Sequence, residues 1–151
     1  AKYYVASLSL ENNKLEKMLS YLDKYQIEDY FELAVYDLIN YYKINQLNDD
    51  EITTYKKYLN EFQNSYSFLN SYAWRMTELN INLDDALIKT NNALQLLEPT
   101  ASQYPNILDT KAEILWKLGE KNEAIKVINK AINMDPESDY YKAQKEKFSN
   151  S

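Results

Sequence analysis

Two stretches in the second half of the chain repeat one another. Ala86 and Ala93 recur as Ala124 and Ala131, 38 residues on (86 to 124, 93 to 131). Ala73 recurs as Ala112, and Asn80 is matched by Gly119, each 39 residues on (73 to 112, 80 to 119). Each stretch therefore has a small residue, a turn residue seven positions later, and then two alanines seven apart. The upstream copy carries one extra residue in its turn. A period of this size is the signature of stacked helical hairpins, in which each hairpin buries on its neighbour the apolar face it cannot bury alone.

The downstream copy, residues 105–136, resembles the tetratricopeptide repeat, a helix-turn-helix of about 34 residues. Ala112, Gly119, Ala124, Ala131 and Pro136 match its pattern. The upstream copy, residues 66–99, matches at Ala73, Ala86 and Ala93. It departs at Asn80, which replaces the turn glycine, and at Glu98, where the closing proline would fall, with Pro99 one later. The resemblance implies a non-catalytic protein- or peptide-binding scaffold. The ligand is not legible in it.

Composition agrees with helices. One glycine and three prolines in 151 residues are too few for the turns of an all-β fold or the phosphate-cradling loops of α/β enzymes. Hydrophobic content of 45% with 26% charged residues is that of a globular domain or short repeat array. The net charge of −6, with basic residues scattered among acids, argues against a nucleic-acid partner. No stretch approaches the roughly 18 apolar residues that span a bilayer, so no membrane insertion is expected. Opening on Ala1 rather than methionine suggests a processed product. Soluble cytoplasmic and periplasmic locations both remain open. With no cysteine and no histidine, disulfides, thiolate chemistry and zinc sites of those residues are excluded, and no cofactor or metal is expected.

The apolar periodicity divides the chain into a helical region over residues 1–65, a repeat over 66–104, a second over 105–136, and a capping helix and tail over 137–151. In the second repeat Leu108, Ala112, Leu115 and Leu118 are expected on the core face of the first helix. Ile125, Ile128 and Ile132, beside Ala124 and Ala131, are expected on the second. Asn82 is expected to cap the helix after it, and Asp135-Pro136 to start the last helix, over residues 137–148. Residues 2–10 and 14–25 form a hairpin broken at Asn12-Asn13. Residues 27–44 form a strong apolar helix, and Asn48-Asp49-Asp50-Glu51 opens another running to about residue 62. These pairs read as degenerate repeats or as an unrelated helical cap. The predicted fold is all-α, a right-handed stack of antiparallel helix pairs with a C-terminal capping helix.

Carboxylates are the main acid–base groups available. Glu28-Asp29, Asp49-Asp50 and Asp84-Asp85 each sit near an expected helix start, where the helix dipole favours negative charge. Adjacent helical residues do not face each other, so these pairs read as structural and not catalytic. A second stripe, Asn106, Asp109, Glu113 and Trp116, runs beside the core face of the second repeat. Its upstream counterpart is Ser67, Asn70, Trp74 and Thr77. The resemblance places this stripe on the concave face, formed by residues 67–79 and 105–118. The candidate groove residues are Asn70, Trp74, Thr77, Asn106, Asp109, Glu113 and Trp116, suited to a peptide with basic or aromatic side chains. The competing reading is that both tryptophans fill gaps between hairpins. Chaperone-binding members of the family grip a peptide C-terminus with Lys, Asn and Arg. Asp109 and Glu113 would repel such a ligand, and only Asn70 is compatible with that clamp.

Fifteen tyrosines remain. Tyr3-Tyr4, Tyr41-Tyr42, Tyr55, Tyr58 and Tyr140-Tyr141 fall on expected helices, where a ring packs with its hydroxyl wet; an aromatic groove for carbohydrate or peptide is the other reading. Residues 70–74 (Asn-Ser-Tyr-Ala-Trp), Leu108-Asp-Thr110 and the Tyr141 to Phe148 tail are also similar to helical tails of bacterial thioredoxin-like proteins. That second resemblance implies a structural or oligomerisation appendage of a larger redox protein, the alternative to a scaffold of its own.

Overall fold

The described residues fold into packed helix pairs, an all-α architecture. The structure, a computed structural model, describes residues 2–27 and 29–150, so the expectation for Glu28 lies outside the described residues. Among the described residues there are nine helices and no strand. They belong to two compact units, Ala1–Asn60 and Glu61–Ser151.

The first unit holds α1 (Lys2–Glu11), α2 (Leu15–Lys24), α3 (Phe31–Ile44) and α4 (Asn48–Tyr58). α1 packs on α2 and α3, α2 packs on α3, and α3 packs on α4. Its core is made by Ala6, Met18, Leu22, Ala34, Val35 and Leu38 with several tyrosine rings. Tyr3 is buried, and its hydroxyl donates to Asp37 Oδ2 at 2.8 Å, as does Ser7 Oγ at 2.8 Å. Tyr21, Tyr42, Tyr55 and Tyr58 are buried as well, as packing of thin helical layers requires.

The third helix starts four residues later than its apolar pattern implies. Ile27 is 100% exposed, and Tyr30 leaves the helix to stack on Tyr3 at 5.1 Å between ring centroids. At α4 Asn48 is the first helical residue and not the N-cap. Leu47 occupies the N-cap position, and its hydrocarbon side chain has no acceptor to offer; its backbone N–H closes the preceding turn onto Tyr42 O at 2.9 Å. Asp49, Asp50 and Glu51 still fall in the first turn of α4, where the dipole favours them. α4 ends at Tyr58 instead of near residue 62; Phe62 packs on Phe68 at 4.8 Å.

The second unit holds α5 (Tyr66–Leu79), α6 (Leu83–Gln95), α7 (Tyr104–Lys117), α8 (Lys121–Met134) and α9 (Asp139–Asn150). α5 pairs with α6 and α7 with α8. α7 packs on both α5 and α6, and α9 packs in the same way on α7 and α8. Ser65 Oγ caps α5 by accepting from Phe68 N at 3.3 Å. Ala73, Ala86, Ala93, Ala112, Ala124 and Ala131 have no exposed surface, which lets the helix backbones approach closely. The buried face of α8 is Ala124, Val127, Ile128 and Ala131; Ile125, Ile132 and the α7-terminal Leu118 are only half-buried. Phe148 of α9 completes this core against Leu108, Leu115 and Ile128.

All four hairpins turn on the same local motif. Asn13, Gln46, Asn80 and Gly119 have left-handed φ of 56°, 57°, 55° and 85°. The residue after each donates back across the turn: Lys14 N to Ser9 O at 2.8 Å, Leu47 N to Tyr42 O at 2.9 Å, Ile81 N to Met76 O at 3.0 Å, and Glu120 N to Leu115 O at 2.8 Å. These bonds satisfy carbonyls that a helix end leaves unpaired, the Schellman arrangement. Seven positions before each left-handed residue lies a buried one: Ala6, Ile39, Ala73 and Ala112.

Two expected caps are replaced. Asn82 precedes α6 with φ 50° and makes no cap; its Nδ2 points at Met76 Sδ instead. The last helix starts at Asp139, not at residue 137. Ser138 Oγ accepts from Tyr141 N at 3.3 Å, so the serine, rather than Asp135-Pro136, supplies the terminal acceptor.

Candidate binding cleft

α5 and α7 are the first helices of consecutive pairs, and each carries part of the polar stripe read from the sequence. The structure divides that stripe in two. Asn70 and Trp74 of α5, with Asn106 and Asp109 of α7, line one cleft of about 250 Å³ together with Ser71, Thr110 and Tyr140. Thr77, Glu113 and Trp116 do not line it.

Those three residues are engaged inside the stack. Thr77 is buried, with Oγ1 donating to Ala73 O at 3.0 Å and Trp74 O at 2.5 Å, while its carbonyl accepts from Lys117 Nζ at 2.6 Å. Glu113 is 5% exposed, and both its oxygens accept from Lys147 Nζ at 2.7 Å. Trp116 lies 5.6 Å from the Phe148 ring, with Lys147 Nζ 4.5 Å from its centroid. Helix α9 therefore covers the downstream end of the stripe. Trp116 packs in the contact with that helix, against Phe148.

Asp109 sits where the covered and open parts meet. It is 3% exposed and accepts from Gln144 Nε2 at 3.0 Å and from Tyr140. Gln144 Nε2 also donates to Glu113 Oε2 at 3.0 Å, tying the two carboxylates to α9 through one amide. Burial pushes the Asp109 carboxyl up to about 6, and the neighbouring Glu113 charge adds to the rise. The bonds from Gln144 and Tyr140 and the more distant Lys147 offset only part of it. Tyr140 is pushed up to about 12, by burial first and by Asp109 next.

On the opposite wall, Asn70 Oδ1 is buried and has no hydrogen-bond partner. Trp74 is half-buried beside it, and Asn106 is exposed at the rim. Thr110 Oγ1 donates to Asn106 O at 3.3 Å, so only its lone pairs remain, as acceptors. The cleft thus combines a carboxylate, an amide carbonyl, hydroxyl lone pairs and an indole, with no basic side chain in its lining. Among the described residues no cluster of three or more carboxylates could hold a metal ion, and no helix is long and apolar enough to cross a membrane.

Gln144 and Lys147 were not recognised as partners of the stripe from sequence. Their signal is the spacing Tyr140, Gln144, Lys147 and Phe148, one helical face, but their polarity reads as solvent-facing. Gln144 is only 8% exposed.

A family model described as tetratricopeptide repeat matches residues 105–138, spanning α7, α8 and the approach to α9. No curated protein matches the chain. The helix pair α7–α8 and the matched segment agree: residues 105–138 are similar to a tetratricopeptide repeat.

Proposed function

We propose that the protein is a non-catalytic scaffold that binds a peptide segment of a partner in the cleft between α5 and α7. Repeat arrays present extended surfaces of this kind to protein ligands. The observation that carries the reading is a cleft lined by Trp74, Asp109 and Asn70, the last with a buried and unpaired Oδ1. An unsatisfied buried carbonyl costs about 1–3 kcal/mol, and a ligand donor removes that cost. Trp74 supplies the aromatic anchor typical of binding centres. The first 60 residues read as two degenerate hairpins of their own, turning at Asn13 and Gln46.

Selection of random peptides on the immobilised protein tests this. Peptides retained by the wild type should be lost from Trp74→Ala and weakened by Asn70→Ala, with far-UV circular dichroism unchanged in both. Equal retention by all three proteins would remove the cleft from the binding surface.

A second reading, an appendage that docks within a larger protein or on its own copy, is favoured by Tyr4, Val5 and Leu8, exposed together on α1. Its thioredoxin-like version rests on the sequence resemblance alone. Sedimentation that stays monomeric as concentration rises would exclude the self-docking form.

A further inference from the structure

We infer that the cleft between α5 and α7 is a cation pocket, selecting a lysine or arginine side chain of the bound segment. This deepens the scaffold reading above and rests on it. The argument starts from charge. Glu113 and Lys147 neutralise each other at 2.7 Å, and Lys147 is further engaged over Trp116. Asp109 has no such partner. Gln144 and Tyr140 give it dipoles, and no lysine or arginine lines the cleft. A buried carboxylate hydrogen-bonded only by neutral donors, its nearest cation paired with Glu113, is destabilised by lost hydration, and a cation restores the balance.

The remaining walls fit the same ligand. Asn70 Oδ1 offers an unused acceptor. Tyr140 and Thr110 donate to Asp109 and to Asn106 O, so their oxygens present lone pairs. Trp74 offers an indole face of the kind that attracts ammonium and guanidinium groups. A carboxylate or phosphate would meet acceptors on every side. A neutral donor would satisfy Asn70 and leave Asp109 uncompensated. A volume of about 250 Å³ suits one side-chain tip and not a whole peptide.

Proton and cation then compete for one carboxylate. The groups facing Asp109 are Glu113 on its own helix and Tyr140, Tyr141, Gln144 and Lys147 on α9; the α5 wall brings Asn70, Ser71 and Trp74, which do not titrate. Of these, Asp109 alone is displaced into the weakly acidic range, to about 6. Binding should be full at neutral pH and weaken about tenfold for each unit below that value.

The test uses Nα-acetyl-lysine amide as probe on the whole protein, followed by backbone amide NMR, with its Nε-acetylated form as the neutral control. Saturable shifts at Asn70, Trp74, Asp109 and Tyr140 with the charged probe only, weakening on acidification, are expected. Asp109→Asn keeps an acceptor for Gln144 and should fold with α9 docked, yet lose the probe at least tenfold. Equal shifts with the neutral form, undiminished binding by Asp109→Asn, shifts confined to other surfaces, or no saturable shifts would each overturn the cation pocket. Peptide selection separates this from the broader reading. Peptides that need Trp74 but lack basic residues would sink the cation pocket and keep the scaffold. Probe binding without any selected peptide would do the reverse.

Discussion

Gln46 and Asn80 hold left-handed backbone that a glycine would hold more cheaply. Replacing Gln46 with glycine should raise stability by about 0.5–1 kcal/mol, measured by urea denaturation, since the turn is kept and its strain removed. Gly119→Ala should lower it by about 1 kcal/mol. A Cβ at Gly119 would meet nothing within 4 Å, so the loss would come from its φ of 85° alone and not from a clash. Asp109 gives the pH dependence. Its carboxyl is raised in the folded protein to about 6, from an ordinary 3.8. The folded state therefore binds the proton more tightly. The stability this adds is present at low pH and is lost as pH rises from about 4 to about 6, by at most about 3 kcal/mol. Asp109→Asn should be more stable than wild type at pH 7, and the difference should shrink on acidification to pH 4. A gap between the two proteins that does not change with pH would contradict this account of Asp109. At this scale the sequence was partly legible: Gly119 and Asn80 announced their turns, and Gln46-Leu47-Asn48 reads as a turn, but the left-handed backbone at Gln46 is not legible because glutamine has no preference for it.

Among the helices, α9 carries the most consequence. It closes the core with Phe148 and neutralises Glu113 with Lys147. Phe148→Ala should cost about 3–5 kcal/mol by the cavity it leaves, read from the urea midpoint. At the α7–α8 contact, Ala124 has no exposed surface, and Ala124→Leu should overpack it by about 1–3 kcal/mol; unchanged thermal stability would deny that contact. The alanine spacing made this contact readable in advance. The start of α4 at Asn48 was readable from its acidic opening, and the start of α3 was not. Ile27 keeps the apolar phase of α3 yet lies outside it, and the ring of Tyr30 stacks on Tyr3.

In the whole molecule, stability should follow neighbours, as in other helical repeats. Phe148→Ala is expected to raise amide hydrogen exchange across α7, α8 and α9 strongly and across α1 and α2 little. Uniform loss of protection over the chain would mean that the two units unfold as one. The alanine steps, the single glycine and the apolar period by themselves determined that this chain folds as packed helix pairs and where the last full pair begins and ends. These are local repeats, and each follows from the 3.6-residue turn and from close helix approach. Only the tertiary structure decided which half of the Asn106 to Trp116 stripe is open. Gln144 and Lys147 reach Asp109 and Glu113 from another helix, and bonds between helices leave no period in the sequence. Helical spacing shows which residues share a face; it does not show what is packed against that face.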